Sequence, residues 1–261
     1  IIMSEITAFP LGGIHEPFSS LSHAVGFCLF LVLGIQLVLR GRGNFLRMSS
    51  LGVMAYASLQ TLVLSSLYHM QWPGPWREFM LRADVAGIFL LIAGCITPVH
   101  IILFEGKERW LPLSIAWVAA IGGMTLRMMY FDHLPNFVGI ASFLVFGWGG
   151  AITAVVIWQR FGWRFVSSAV MAGLSYTVGA IVLINRTPTL VEGIIGPHEI
   201  WHLAVLAGLG LHWRFVFQFA SGNLPRDLRK SLVEPENRGD GESGAPLLPF
   251  PGPQQPSRKA A

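Results

Sequence analysis

Seven long apolar segments, separated by short polar connections, constrain the fold of this chain more than any other feature of its sequence. A helix that crosses the hydrocarbon core of a bilayer needs about 20 mostly apolar residues. The segments that reach this length are 19–39, 51–70, 83–104, 110–130, 136–158, 165–184 and 200–220. We therefore predict an all-α integral membrane protein, folded as a bundle of seven transmembrane helices.

The composition supports this prediction and excludes a soluble globular enzyme. Only 12% of the residues are charged and 53% are hydrophobic, whereas a soluble domain carries about 25% charged residues. The two cysteines, Cys28 and Cys95, both fall inside apolar segments. They therefore form neither a disulfide framework nor a cysteine metal site. The first apolar run has no basic region before it, and we expect no cleavable signal peptide.

Composition also divides the chain into three parts. A short lead occupies residues 1–18, the helical domain 19–221, and a tail rich in proline and glycine 222–261. The tail has too little apolar surface to form a core, so we predict that it is disordered. The net charge of +4 lies mostly in the loops and the tail. This pattern indicates orientation in a membrane and not nucleic-acid binding.

Basic residues are concentrated in alternate loops. The first, third and fifth loops carry seven of them, whereas the second, fourth and sixth carry four, counting Arg127 at a helix edge. Loops rich in lysine and arginine favour the cytoplasmic side of a membrane. We therefore predict that the N-terminus lies outside and that the tail lies in the cytoplasm.

A pair of histidines opens the last apolar segment, within the sequence Pro-His-Glu-Ile-Trp-His. His198 and His202 are four residues apart, so on a helix they share one face. Two imidazoles at this spacing can hold a divalent metal, most plausibly zinc, if a third ligand comes from elsewhere. The alternative is a pair of hydrogen-bonded histidines at the membrane interface that binds no metal.

Other polar residues that are costly in a membrane fall at the same membrane face. In a chain with seven spans, the second segment ends where the first begins, and the third and seventh begin there too. Polar groups inside apolar segments are functional candidates by default. The residues that this count places together are Glu16, His23, His69, Asp84, His198 and His202.

This grouping predicts a metal centre of three histidines, His69, His198 and His202. Catalytic zinc sites have three protein ligands and an open position for water. Asp84 would hold that water or take its proton. Ser65 lies one turn from His69 on the same face, and it would hydrogen-bond a carbonyl oxygen or the water. The alternative for Asp84 is an acid at a helix start that only interacts with the helix dipole.

Supporting residues are needed to orient the imidazoles of such a centre. Glu16 and His23 are the nearest candidates by depth in the membrane. His212 lies about 15 Å deeper than His202 at 1.5 Å per residue, too far to bind the same ion. We assign His212 a supporting, hydrogen-bonding role inside the bundle.

At these residues the chain resembles the hemolysin III group of bacterial membrane proteins, which belongs with the progestin and adipoQ receptors. The resemblance rests on four motifs that together cover nearly everything before the tail. They are Glu16 to His23, Ser65 to His69, Asp84 with the run that ends at Thr97-Pro98, and His198 to His202 with His212. Ser19 departs from the pattern, because the family often has Asn there, and we expect no specific role for it.

The resemblance implies a seven-helix fold with an intramembrane zinc ion, bound by the residues that match His69, His198 and His202. It also implies a water molecule between that zinc and Asp84. The alkaline ceramidases, which are related membrane hydrolases, share this arrangement and cleave lipid amides. The resemblance further implies the bacterial inner membrane. The eukaryotic receptors, however, place the N-terminus in the cytoplasm, opposite to the orientation that the basic residues here predict.

Three functions follow as hypotheses. The first is a zinc-dependent intramembrane hydrolase of lipid amides or esters, with an acyl chain in an apolar cavity between the helices. The second is a lipid sensor or receptor in which the zinc is structural. The third is a pore-forming hemolysin, although no segment has a polar face strong enough to line a wide aqueous channel. A membrane lipid is thus the expected partner, and the oligomeric state is left open.

Overall fold

The computed structural model describes residues 13–133 and 135–224 and contains eight α-helices. They are α1 Pro17–Arg40, α2 Phe45–Met70, α3 Pro75–Leu103, α4 Gly106–Met129, α5 Asn136–Trp148, α6 Gly150–Phe161, α7 Trp163–Asn185 and α8 Pro197–Phe217. A short 3₁₀ turn, Phe131–His133, follows α4. Because α5 and α6 form one span together, seven helical segments are long and apolar enough to cross a membrane. The all-α, seven-span prediction is confirmed.

The fifth span is two helices and not the single helix that segment 136–158 predicts. The break lies at Gly149, with Gly147 and Gly150 beside it. Glycine has a low helix propensity because it loses the most backbone freedom on ordering, so three glycines in four residues explain the break. Among the described residues of α5 and α6, only Gly139 and Ile157 are buried. This span therefore packs less closely than the others.

The third helix begins earlier than the apolar segment that predicts it. It starts at Pro75, where proline fits the first helical position because its missing N–H is not needed there. Asp84 therefore lies in the third turn, and its placement at a helix start is wrong. The helix dipole acts on charges within the first turn. The interpretation of Asp84 as an acid that only interacts with the dipole is therefore wrong. Hydropathy identifies only the apolar part of a helix, and the first turns of α3 lie before that part.

Consecutive helices pack against each other in an antiparallel arrangement. Helices α1 to α4 are neighbours in chain order, α7 pairs with α8, and α8 also contacts α1. The core of the bundle contains Trp213, Phe165 and Phe215, each about 1% exposed. We call the end of the bundle where α1, α3, α5 and α8 begin, and where α2, α4 and α7 end, the histidine face.

Most of the predicted lead and tail lies outside the described residues. The part of the lead that is described is tied to α2, because the backbone N–H of Glu16 donates to the carbonyl of His69 at 3.0 Å. Of the tail predicted to be disordered, only residues 222–224 are described.

Candidate metal centre

Three histidines from two helices converge at the histidine face. His69 lies in the last turn of α2, and His198 and His202 lie in the first two turns of α8. The Nε2 atom of His198 is 3.2 Å from Nε2 of His69 and 3.0 Å from Nε2 of His202. His69 and His202 are almost completely buried, at 0% and 2% exposed. The three rings form a compact group whose ligand atoms lie within 4.8 Å of one another.

The hydrogen-bond chemistry of this group fits a bound cation. Nδ1 of His69 faces the carboxylate of Glu16, which only accepts hydrogen bonds, so Nδ1 carries the proton and Nε2 presents a lone pair. A neutral His198 has at most one proton on Nε2 to share between two neighbouring nitrogens. Imidazole nitrogens suit zinc and similar divalent metals, and ligands of a tetrahedral zinc lie about 3.3 Å apart. The donor set and its spacing fit such a metal.

Glu16 connects the cluster to α3 through an arginine that the sequence interpretation assigned to a loop. Nη2 of Arg77 donates to Oε1 of Glu16 at 2.6 Å, while Oε2 of Glu16 accepts from Nδ1 of His69. Burial raises the pKa of Glu16, but the hydrogen bond and charge of His69 and the charge of Arg77 lower it to about 2. Glu16 is therefore ionised at neutral pH and fixes the tautomer of His69.

His23 supports the second ring of the cluster. Its Nε2 atom lies 2.9 Å from Nδ1 of His202, and the ring is 3% exposed. Nδ1 of His23 and Nδ1 of His198 are buried without a hydrogen-bond partner in the part of the chain that the structure describes. The structure thus places Glu16 beside His69 and His23 beside His202. Each supporting residue contacts Nδ1 of its histidine, the ring nitrogen that faces away from the cluster.

Asp84 and Ser65 lie beside the cluster on the wall of a large cavity. The cavity has a volume of about 890 Å³, and its lining includes Ser65, Asp84, His198 and His202. Asp84 interacts with the hydroxyl of Ser65 and, through its charge, with His69. A carboxylate and a hydroxyl are therefore available to a molecule that enters the cavity and reaches the histidines.

Ser19 has a contact that the sequence interpretation missed. Its hydroxyl donates to Oε1 of Glu199 at 2.9 Å, and both residues are buried. Oε2 of Glu199 accepts from the backbone N–H of Gly196 at 2.9 Å, so Glu199 caps the start of α8 and ties it to α1. This contact positions the turn that carries His198 and His202. The glutamate between the two histidines was the one available sequence signal.

His212 lies apart from the cluster and forms a hydrogen bond inside the bundle, as its position in the sequence predicts. Its Nε2–H donates to the backbone carbonyl of Cys95 at 3.1 Å. It lies apart because ten residues of α8 separate it from His202. His212 contributes to the wall of the cavity and to the packing of α8 on α3.

Comparisons with known proteins match most of this chain. A family model described as "Haemolysin-III related" matches residues 13–213. Hemolysin-3 of Bacillus cereus is 25% identical over 192 residues, which cover 73% of this chain and 84% of that protein. A Hemolysin-3 homolog of Bacillus subtilis (strain 168) is 24% identical over 194 residues, covering 73% and 87%.

A plant protein is similar as well. Heptahelical transmembrane protein 1 of Arabidopsis thaliana is 25% identical over 232 residues, which cover 78% of this chain and 69% of that protein. The region that the family model matches, residues 13–213, contains the whole cluster together with Glu16, His23, Asp84 and Arg77.

Proposed function

The chain belongs to the haemolysin-III-related family, and from that premise we propose that it is a zinc-dependent intramembrane hydrolase of lipid amides or esters. The family match confirms the resemblance drawn from the four sequence motifs. The seven spans make it an integral membrane protein. Lipids of the surrounding bilayer are therefore the most directly accessible class of substrate.

One observation supports this function above all others. The three converging Nε2 atoms, the carboxylate of Asp84 and the hydroxyl of Ser65 meet at one end of a cavity of about 890 Å³. Catalytic zinc sites use three protein ligands and keep a position open. A purely structural site would be expected to have four protein ligands and no adjoining cavity.

The chemistry assigns a role to each residue. A zinc ion held by His69, His198 and His202 would polarise a carbonyl and make a water molecule acidic near neutral pH. Asp84 takes the proton from the attacking water and returns it to the leaving nitrogen or oxygen as its bond to the carbonyl carbon breaks. Ser65 donates a hydrogen bond to the carbonyl oxygen as negative charge develops there. The products are a carboxylic acid and an amine or alcohol.

The remainder of the cavity suits an acyl chain. Its wall along α3 includes Ile88, Ile92 and Ile96, and it continues to Val99 near the opposite end of the bundle. The fifteen helical steps from Asp84 to Val99 span about 22 Å of α3. Apolar pockets with a few converging polar groups are typical of ligand sites.

A lipid sensor with a structural zinc is the second candidate. In its favour, the cluster and its hydrogen-bond partners connect α1, α2, α3 and α8, as a structural metal would. An aqueous pore is the weakest of the three, because the wall of the cavity along the middle of α3 is apolar at Ile88, Leu91 and Ile92.

Metal content and hydrolysis, measured on the same preparations, test the proposal. We expect about one zinc per chain in the purified protein and none in the His198→Ala/His202→Ala double variant. Asp84→Asn should keep its zinc and lose at least 100-fold in hydrolysis of N-acyl or O-acyl lipids, because the proton acceptor is removed. Asp132→Asn, which changes an exposed aspartate, is the matched control and should retain both its zinc and its hydrolytic activity.

Two outcomes contradict the proposal in different ways. Folded, zinc-loaded protein that cleaves nothing in a broad panel of lipid amides and esters excludes the hydrolase and favours the sensor. Protein that binds no metal even after addition of zinc removes the metal centre itself.

A further inference from the structure

A buried arginine lines the same cavity. Arg127, near the end of α4, is 5% exposed, and its Nε and Nη1 atoms have no hydrogen-bond partner in the part of the chain that the structure describes. Its Cζ atom lies 4.6 Å from the centre of the Phe131 ring. The acid of the adjacent turn, Asp132, is already paired with Arg82 at 2.7 Å.

Arg127 lies at nearly the same depth as Asp84. Gly123 of α4 abuts Phe89 of α3 so closely that an added Cβ would be 2.4 Å from the ring. Because α3 and α4 run in opposite directions, one further turn of α4 reaches Arg127 and one preceding turn of α3 reaches Val85. Val85 also lines the cavity and follows Asp84 directly. The guanidinium is thus level with the reacting end of the cavity.

An unpaired cation in this place is costly. Burial of a charge without a compensating ion or hydrogen bonds is strongly unfavourable, and ionisable residues inside membrane segments are rare for this reason. Arginine does not lose its proton in proteins, so the cost cannot be relieved by neutralisation. A ring contact offsets a small part of it. The N–H donors of a guanidinium without hydrogen-bond partners suit the oxygens of a carboxylate or phosphate.

We infer that Arg127 binds the anionic group of an acyl-chain ligand, a carboxylate or a phosphate, while the chain occupies the apolar part of the cavity. This inference rests on the proposed function for its assignment of the cavity as the substrate site. It narrows the substrate class from lipids in general to acidic amphiphiles. The guanidinium also lies close to Gly139 of α5, where an added Cβ would be 3.1 Å from Cζ.

Equilibrium binding of three labelled probes to the full chain tests the inference. The probes are oleate, oleoyl lysophosphatidate and the uncharged oleyl alcohol, with the protein in phosphatidylcholine nanodiscs after treatment with EDTA. In Arg127→Gln we expect affinity for one or both anionic probes to fall about 10- to 100-fold, the contribution of hydrogen bonds to a charged group. Affinity for oleyl alcohol should stay within about twofold. Arg164→Gln, which removes an exposed arginine at the opposite end of the bundle, should bind all three as wild type does.

The results separate specific anion binding from loss of structure. A selective loss for oleate identifies a carboxylate as the ligand group, and a selective loss for lysophosphatidate identifies a phosphate. Arg127→Lys should recover part of the lost affinity, because lysine keeps the charge but not the fork. Equal losses for all three probes, or no loss for either anion, overturn the inference.

The binding assay uses neither metal nor turnover, so its result is independent of the hydrolase assay. If anion binding depends on Arg127 and no lipid is hydrolysed, the inference stands and the proposed activity fails. If lipids are hydrolysed and Arg127→Gln binds both anions normally, the activity stands and the inference fails.

Discussion

At the scale of single residues, Glu16 has the largest influence on the candidate metal centre. It accepts hydrogen bonds from His69 and from Arg77 at once, so one carboxylate orients a ligand of the cluster and anchors it to α3. Residues that hold the far nitrogen of a metal-binding imidazole control its tautomer and its basicity. Glu16 should therefore affect metal affinity without touching the metal.

Glu16→Gln should weaken zinc binding about 10- to 100-fold, the usual effect of losing such a partner. The amide is similar in size but has no negative charge to hold the His69 proton. Competition with a chelator of known affinity measures the change. Glu108→Gln provides the control, because Glu108 forms its ion pair with Arg160 at the opposite end of the bundle. Wild-type affinity in Glu16→Gln would show that the carboxylate has no supporting role.

At the scale of helices, glycines allow α3 to pack closely between α2 and α4. Gly123 allows the ring of Phe89 to lie against the backbone of α4, whereas the neighbouring Gly122 has open space around it. In the same way Gly94 of α3 faces Ala57 of α2, where an added Cβ would lie 2.5 Å from the alanine. Small residues let membrane helices approach each other closely, and here they hold α3 between α2 and α4.

Gly123→Ala should lower the melting temperature of the detergent-solubilised protein, whereas Gly122→Ala should leave it unchanged or raise it slightly. The added methyl group at Gly123 meets an aromatic ring, and overpacking costs about 1–3 kcal/mol. At Gly122 alanine only improves helix propensity, by up to about 1 kcal/mol. Equal melting temperatures in the two variants would mean that the α3–α4 contact is looser than the structure indicates.

At the scale of the whole molecule, the candidate metal centre connects the first helix to the last. Glu16 and His23 come from α1 or the residue before it, His69 from α2, Arg77 from α3, and two ligands from α8. A ligand that binds only the folded protein stabilises it by mass action. Metal should therefore contribute to the stability of the bundle as well as to its chemistry.

Removal of metal with EDTA should lower the melting temperature of the wild-type protein and have no effect on His198→Ala/His202→Ala. Zinc present at 100 times its dissociation constant contributes about 2.7 kcal/mol. Thermal unfolding followed by tryptophan fluorescence measures the difference. An equal response of both proteins to EDTA would argue against a site at these histidines.

The sequence alone determined the number of spans and the gathering of the polar residues at one end of the bundle. Both depend on local properties, since the hydrocarbon thickness sets the length of each apolar segment and the number of crossings sets the side on which each segment ends. The convergence of His69 with His198 and His202 could be predicted in this way, although these residues are far apart along the chain.

Only the tertiary structure decided which side chains face each other. The pairing of Arg77 with Glu16, the contact of Ser19 with Glu199 and the isolation of Arg127 depend on the rotation of each helix about its axis. In a bilayer, apolar surface on any face of a helix is equally acceptable to lipid, so hydropathy does not report that rotation. The rotation of each helix is set by the packing of its side chains against neighbouring helices. It therefore depends on residues throughout the bundle.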